Sequence, residues 1–172
     1  MLIRGPATEA DFAAILALNE ESVQFLSPLT SARLQQLHAQ SELHRLIEID
    51  GAIAAFVLVF RDGAQYDSVN YRWFAQRFPR FLYVDRVVVS SRYRGRGLGV
   101  VLYETVFAYA RANNFPVLAC EFDIDPPNPQ SAQFHARFGF TEVGRQAVAG
   151  GSKRVSLQAA SPSAPQPCGI GR

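Results

Sequence analysis

At 172 residues the chain has the length of a single domain and can bury a sizeable core; its 48% apolar content is ordinary for a globular protein. A formal net charge of +2 gives no electrostatic mandate for nucleic acid or a membrane surface, and no stretch has the apolar length of a membrane span. Residues 1–10 carry charges and a proline where a secretory leader needs an apolar core, the two cysteines make no disulfide framework, and no Cys/His cluster has metal-ligand spacing. A cytoplasmic protein without a metal is the expectation.

In chain order, Leu2–Arg4 reads as a short strand, and Thr8 as the cap of a helix running to about Leu18. Asn19–Pro28 is a loop or broken helix, and Ser31–Gln40 a more polar helix. Leu43–Ile49 and Ile53–Phe60 form a hairpin around Asp50-Gly51, a strong turn signal. Arg61–Arg80 is a long excursion carrying Tyr66, Tyr71, Trp73, Phe74 and Phe78. A strand over Phe81–Val89 leads through a glycine loop into a helix from Leu98 to about Asn113, and Val117–Ile124 is the next strand. Thr141–Val148 and Lys153–Gln158 close the domain as a hairpin over Gly150-Gly151. The domain is thus expected to span 1–158. Residues 159–172, rich in Ser and Pro, read as a flexible tail.

The most informative segment is Arg94-Gly-Arg-Gly-Leu-Gly99, between a strand and a helix. Glycines let backbone approach a ligand, the helix N-terminus presents free N–H groups, and arginines suit a pyrophosphate. No Lys-Ser or Lys-Thr follows, and Gly95, Gly97 and Gly99 alternate, so neither the P-loop nor the dinucleotide pattern fits. The segment matches R-x-x-G-x-G. Downstream, Asn128-Pro-Gln-Ser-Ala-Gln-Phe-His-Ala-Arg-Phe-Gly-Phe140 has an N-cap, a proline at the first helical position, Phe134 and Phe138 on one face, and a C′ glycine.

These two motifs, in this order, resemble those of the GNAT acetyltransferase superfamily. The resemblance implies an α/β fold: a mixed, mostly antiparallel sheet, splayed near its middle and flanked by helices. It implies acetyl-CoA as cofactor and direct transfer of the acetyl group to an amine. Backbone groups of Val87, Val88 and Val89 would bind the pantetheine arm. Arg94, Gly95, Arg96, Gly97, Leu98 and Gly99 would hold the pyrophosphate, with Asn128 and Ser131 beside the arm. The side chains of the three valines also read as plain core.

Where the family commonly has a proton-donating tyrosine, this chain has His135. Three roles stay open for it: the acid, an orienting group, or no role. Tyr71 or Tyr103 are alternatives. On the strand after the helix, alternation puts Glu121, Asp123 and Asp125 on one face, and on the motif strand it puts Asp85 with Tyr83 and Val87. Charges inside apolar strands are costly unless paired or used, so Asp85 and Glu121 are candidates for the general base, or else partners of Arg86 or Arg92. The expected activity is acetyl-CoA-dependent N-acetyl transfer to a primary amine of a small molecule, amino acid or peptide. The rival is an acyl-CoA-binding sensor without efficient chemistry. No nucleic-acid or membrane partner is expected, and the aromatic excursion and final hairpin leave room for a homodimer.

Overall fold

The apolar run Ala54–Phe60 is fully buried at every position, the mark of a strand covered on both faces. It belongs to β3 (Ala52–Arg61). Around it lie β1 (Leu2–Arg4), β2 (Leu43–Ile49), β4 (Leu82–Val89), β5 (Leu118–Asp125), β6 (Thr141–Val148) and β7 (Lys153–Ala160). This computed structural model describes residues 1–163, and its seven strands form one sheet in the order β1-β2-β3-β4-β5-β7-β6. All neighbouring strands are antiparallel except β4 and β5.

Helices α1 (Phe12–Glu20), α2 (Ser31–Gln40) and α3 (Val69–Ala75) cover one face, where Phe56, Leu58 and Phe60 of β3 point. Helices α4 (Leu98–Ala112) and α5 (Pro129–Arg137) cover the other, against Ala55, Val57 and Val59. Among the described residues no helix is long and apolar enough to cross a membrane.

Three local expectations are corrected. The excursion before β4 is not all loop: it contains α3, capped by Ser68, whose Oγ accepts from the Tyr71 N–H at 3.3 Å. Its Tyr66, Tyr71 and Phe74 are buried core. In β4 the register against β3 passes from Leu58↔Arg86 to Val59↔Val84, leaving Asp85 as an extra, bulged residue. The bulge breaks the alternation, so Tyr83 packs on the α3 face while Val87 packs toward α4, and Asp85 does not share a face with both. Finally, β7 does not stop at Gln158: Ala159 and Ala160 pair with Ala119 and Leu118. The rest of the expected tail, from residue 164 and including Cys168, lies outside the described residues.

Candidate active site

The glycine loop is built as an open cradle. After β4, Ser91–Tyr93 make a short 3-10 turn, and Gly97 is the N-cap of α4. Gly95 (φ +76°) and Gly97 (φ +75°) are both left-handed, and nothing lies within 4 Å of where a Cβ would sit at either. Only glycine adopts this backbone without strain, and the empty space leaves room for a ligand. The first-turn N–H groups of Leu98, Gly99 and Val100 have no intrahelical acceptor. Arg94 is exposed, and the Arg96 guanidinium lies 5.3 Å from the Tyr93 ring centre. Glu21 braces the loop by accepting the Ser91 N–H at 2.7 Å, a bond that lowers its pKa. An anion of pyrophosphate shape and charge fits this cradle.

The sheet splays next to it. The β4–β5 pairing consists of two registers, Leu82↔Leu118 and Tyr83↔Ala119. Beyond them β4 stays bonded to β3 through Val87, Val88 and Val89, while its β5-facing backbone groups have no ladder partner among the described residues. Unpaired backbone polar groups in a sheet's interior call for a ligand with amides of its own, which a pantetheine arm supplies. The side chains of these valines are core: Val88 is buried against α1 and α2, and Val87 and Val89 pack toward α4. Asn128 starts α5, its Oδ1 accepting the Ser131 N–H at 3.1 Å. Gly99 sits against α5, where a Cβ would lie 3.4 Å from the Phe134 ring.

His135 is buried, and both ring nitrogens are engaged. Nδ1 donates to the Ser131 carbonyl at 2.7 Å, which leaves Nε2 as acceptor for the Tyr103 hydroxyl, also at 2.7 Å. Burial pushes its pKa down to about 4, so it is neutral at pH 7. Its ring stacks on Phe122, whose side chain projects from β5 toward α5. The tyrosines named as alternatives are also occupied: Tyr103 binds His135, and the Tyr71 hydroxyl donates to the Arg61 carbonyl at 2.8 Å.

On the opposite face of β5 is Glu121. Its Oε1 accepts from the Tyr83 hydroxyl at 2.8 Å and from Asn70 Nδ2 at 2.9 Å. Its Oε2 is buried with no partner among the described residues. Burial, helped by the charges of Asp85 and Asp123, raises its pKa to about 8. Asn70 is itself oriented by Gln146 of β6, which donates to Asn70 Oδ1 at 2.7 Å. Asp85, on the same side of the sheet, accepts from the Tyr66 hydroxyl and from Arg86 Nε at 2.6 Å. Arg86 extends this network to Asn19 Oδ1 at 2.7 Å.

The three candidate catalytic side chains are therefore not one constellation. Asp85 and Glu121 share a face; His135 lies behind β5. Asn70, Tyr83 and Gln146 are the supporting residues that sequence reasoning did not find. Asn70 carries a legible signal, since Ser68 followed by Tyr71, Phe74 and Phe78 is a capped helix with an apolar stripe.

Comparisons with known proteins agree with this geometry. The Acetyltransferase (GNAT) family profile matches residues 12–140. No curated protein sequence matches. Similar solved structures include Ard1 from Thermoplasma volcanium, with TM-score 0.75 at 15% identity over 93% of this chain and 96% of that one. The ribosomal-protein-S18-alanine N-acetyltransferase from Escherichia coli has TM-score 0.71 at 16% identity, over 94% of each chain. A third, yncA from Salmonella typhimurium, was solved with its cofactor acetyl-CoA and has TM-score 0.70 at 18% identity over 98% and 99%. At these identities the likeness is one of fold. With the family profile spanning most of the domain, the splayed sheet and the cradle at α4, the chain belongs to the GNAT acetyltransferase family, whose cofactor is acetyl-CoA.

Proposed function

We propose that the protein transfers an acetyl group directly to a primary amine, with Glu121 as general base. The observation that carries this reading is the buried Glu121 Oε2, which lacks a partner among the described residues and lies on the strand that parts from β4. When bound, acetyl-CoA supplies the thioester whose acetyl group is transferred. The Arg94–Gly99 cradle would bind its pyrophosphate, and the β4 backbone from Val87 to Val89 its arm. Glu121 would take the proton from the attacking amine, directly or through one water. Tyr83 and Asn70 hold Oε1, so Oε2 is the atom that works. Asp85, paired with Arg86, supports the local field and need not exchange protons. His135 takes the orienting role among those open to it: with its Nδ1 proton held by Ser131, it fixes Tyr103 and the start of α5. The departing thiolate would take up a proton from water, which balances the proton that Glu121 removes from the amine, so the transfer needs no side-chain acid at the sulfur.

Calorimetry with acetyl-CoA, followed by thiol release with a panel of amines, tests the reading. Wild type should bind and turn over. Glu121→Gln should bind equally and lose about 100-fold or more in kcat. Binding without turnover on any amine would favour the acyl-CoA sensor, and no binding would remove both.

A further inference from the structure

Resting on the reading of Glu121 as base, a further feature bears on the acceptor. Asp123 lies two residues beyond Glu121 on the same face of β5. Lys153, the first residue of β7, places Nζ 3.0 Å from Asp123 Oδ2 and 3.1 Å from the Gln24 carbonyl. Gln24 belongs to the segment between α1 and α2. One ammonium thus ties that segment to β5 beside Glu121, and the two oxygens it bridges are at most about 6 Å apart. A polypeptide threaded between two other backbones takes about 4.7–4.9 Å on each side. It does not fit through this gap.

The rest of the segment is also fixed. Arg86 reaches Asn19 Oδ1 at 2.7 Å and Ser27 Oγ at 3.4 Å, and Asn19 Nδ2 donates to the Ser27 carbonyl at 3.3 Å. On the other flank Arg33 of α2 pairs with Asp67, its guanidinium 5.6 Å from the Tyr66 ring. The segment is thus tied to the sheet at Asn19, Gln24 and Ser27. The flanking carboxylates are neutralised as well, Asp85 by Arg86 and Asp123 by Lys153. Neither carboxylate beside Glu121 is then free to attract a basic peptide.

We propose that Lys153 is a specificity-determining residue, a clasp between Gln24 and Asp123 that restricts the acceptor to small primary amines and excludes polypeptide N-termini. The test compares kcat/KM by thiol release for a series of small primary amines and for a hexapeptide with a free N-terminus. Wild type should prefer the best small amine by roughly 100-fold. Lys153→Ala, and Lys153→Met, which keeps most of the apolar stem, should narrow that preference about tenfold. The change should fall in the peptide's KM, while any fall in kcat from the freed Asp123 charge raising Glu121's pKa acts on both substrates alike and cancels in the ratio. Lys153→Arg, which can still bridge both oxygens, should retain the wild-type preference. A merely structural lysine would scale both substrates together. Equal use of peptide and small amine by wild type, or a preference unchanged in both Lys153→Ala and Lys153→Met, overturns the clasp while leaving amine transfer standing. Acetyl-CoA binding without release on any acceptor overturns amine transfer itself, and the clasp with it.

Discussion

Glu121 and His135 are buried ionisable groups whose burial acts in opposite pH directions. Glu121 has its pKa raised to about 8, so the base is formed only as pH rises through that value. With an acceptor whose own amine titrates well below 7, kcat/KM should climb about tenfold per pH unit below 8 and level off above it. Glu121→Gln should abolish that limb. The same shift sets a stability cost. The folded state holds the carboxyl neutral while the unfolded chain ionises near 4.5, so stability falls as pH rises from 4.5 to about 8. Glu121→Gln should therefore be more stable relative to wild type at pH 8 than at pH 5, by a few kcal/mol on the order of the pKa shift. Urea midpoints at the two pH values check this, and an equal difference at both would contradict the buried neutral acid. His135 runs the other way. Its pKa falls to about 4, as does that of buried His44, so the unfolded state binds more protons between about 6.5 and 4. The histidines' contribution is full above 6.5 and declines toward pH 4, by about 1.4 kcal/mol per pH unit for each. His135→Phe should remove one proton's worth of that slope in a midpoint series. The sequence placed Glu121 correctly on its face, because strand alternation is local. It could not say that His135 is turned away from it, because that depends on which side of β5 receives α5.

At the scale of elements, the bulge in β4 and the helix α3 decide the site. The bulge lets Asp85 and Arg86 both turn toward α1 and α3, which strict alternation forbids. Helix α3 delivers Asn70 to Glu121 and presses Trp73 onto β6 at Gly144. A Cβ at Gly144 would come within 2.5 Å of the Trp73 indole. Gly144→Ala must displace that ring and with it α3, costing about 1–3 kcal/mol by overpacking. It should also disturb Asn70, so thermal unfolding and kcat should fall together; a variant with unchanged Tm would mean that the indole moves aside freely. The glycine loop offers a cleaner case. Gly97→Glu forces a left-handed backbone and a negative charge into the cradle, and should abolish acetyl-CoA binding in calorimetry while the fold survives. Both cofactor motifs were legible because caps, glycines and a strand-loop-helix order are written in adjacent residues. The bulge was not, since an extra residue in one strand is defined only by its partner strand; α3 lies between the two cases, its Ser68 cap and apolar stripe readable but its aromatics equally suited to strand or loop.

Over the whole molecule, contiguous parts of the chain form the two halves of the sheet. Strands β1–β4 come from the first ninety residues and β5–β7 from Leu118 onward, with α4 packed across the join. The likeness to solved structures of 13–23% identity shows that this layout tolerates wide sequence change. The α/β class and the flanking helices follow from the order of the elements in the sequence. The position of the join does not, because non-adjacent strands meet there. Saturating acetyl-CoA should raise the unfolding free energy by roughly 2.7 kcal/mol at 100 times its Kd, seen as a concentration-dependent rise in Tm.

The two-register seam between β4 and β5 has a mechanical meaning. A sheet resists shear through its rungs, and here two leaves are joined by a margin only as long as Leu82-Tyr83 against Leu118-Ala119. A ligand lying in the gap becomes, in effect, a temporary eighth strand, passing load from one leaf to the other. In the free protein, amide protons of β5 and β7 should exchange with solvent on their own timescale, separate from those of β2 and β3. With cofactor in the gap the two sets should slow together, as one cooperative unit.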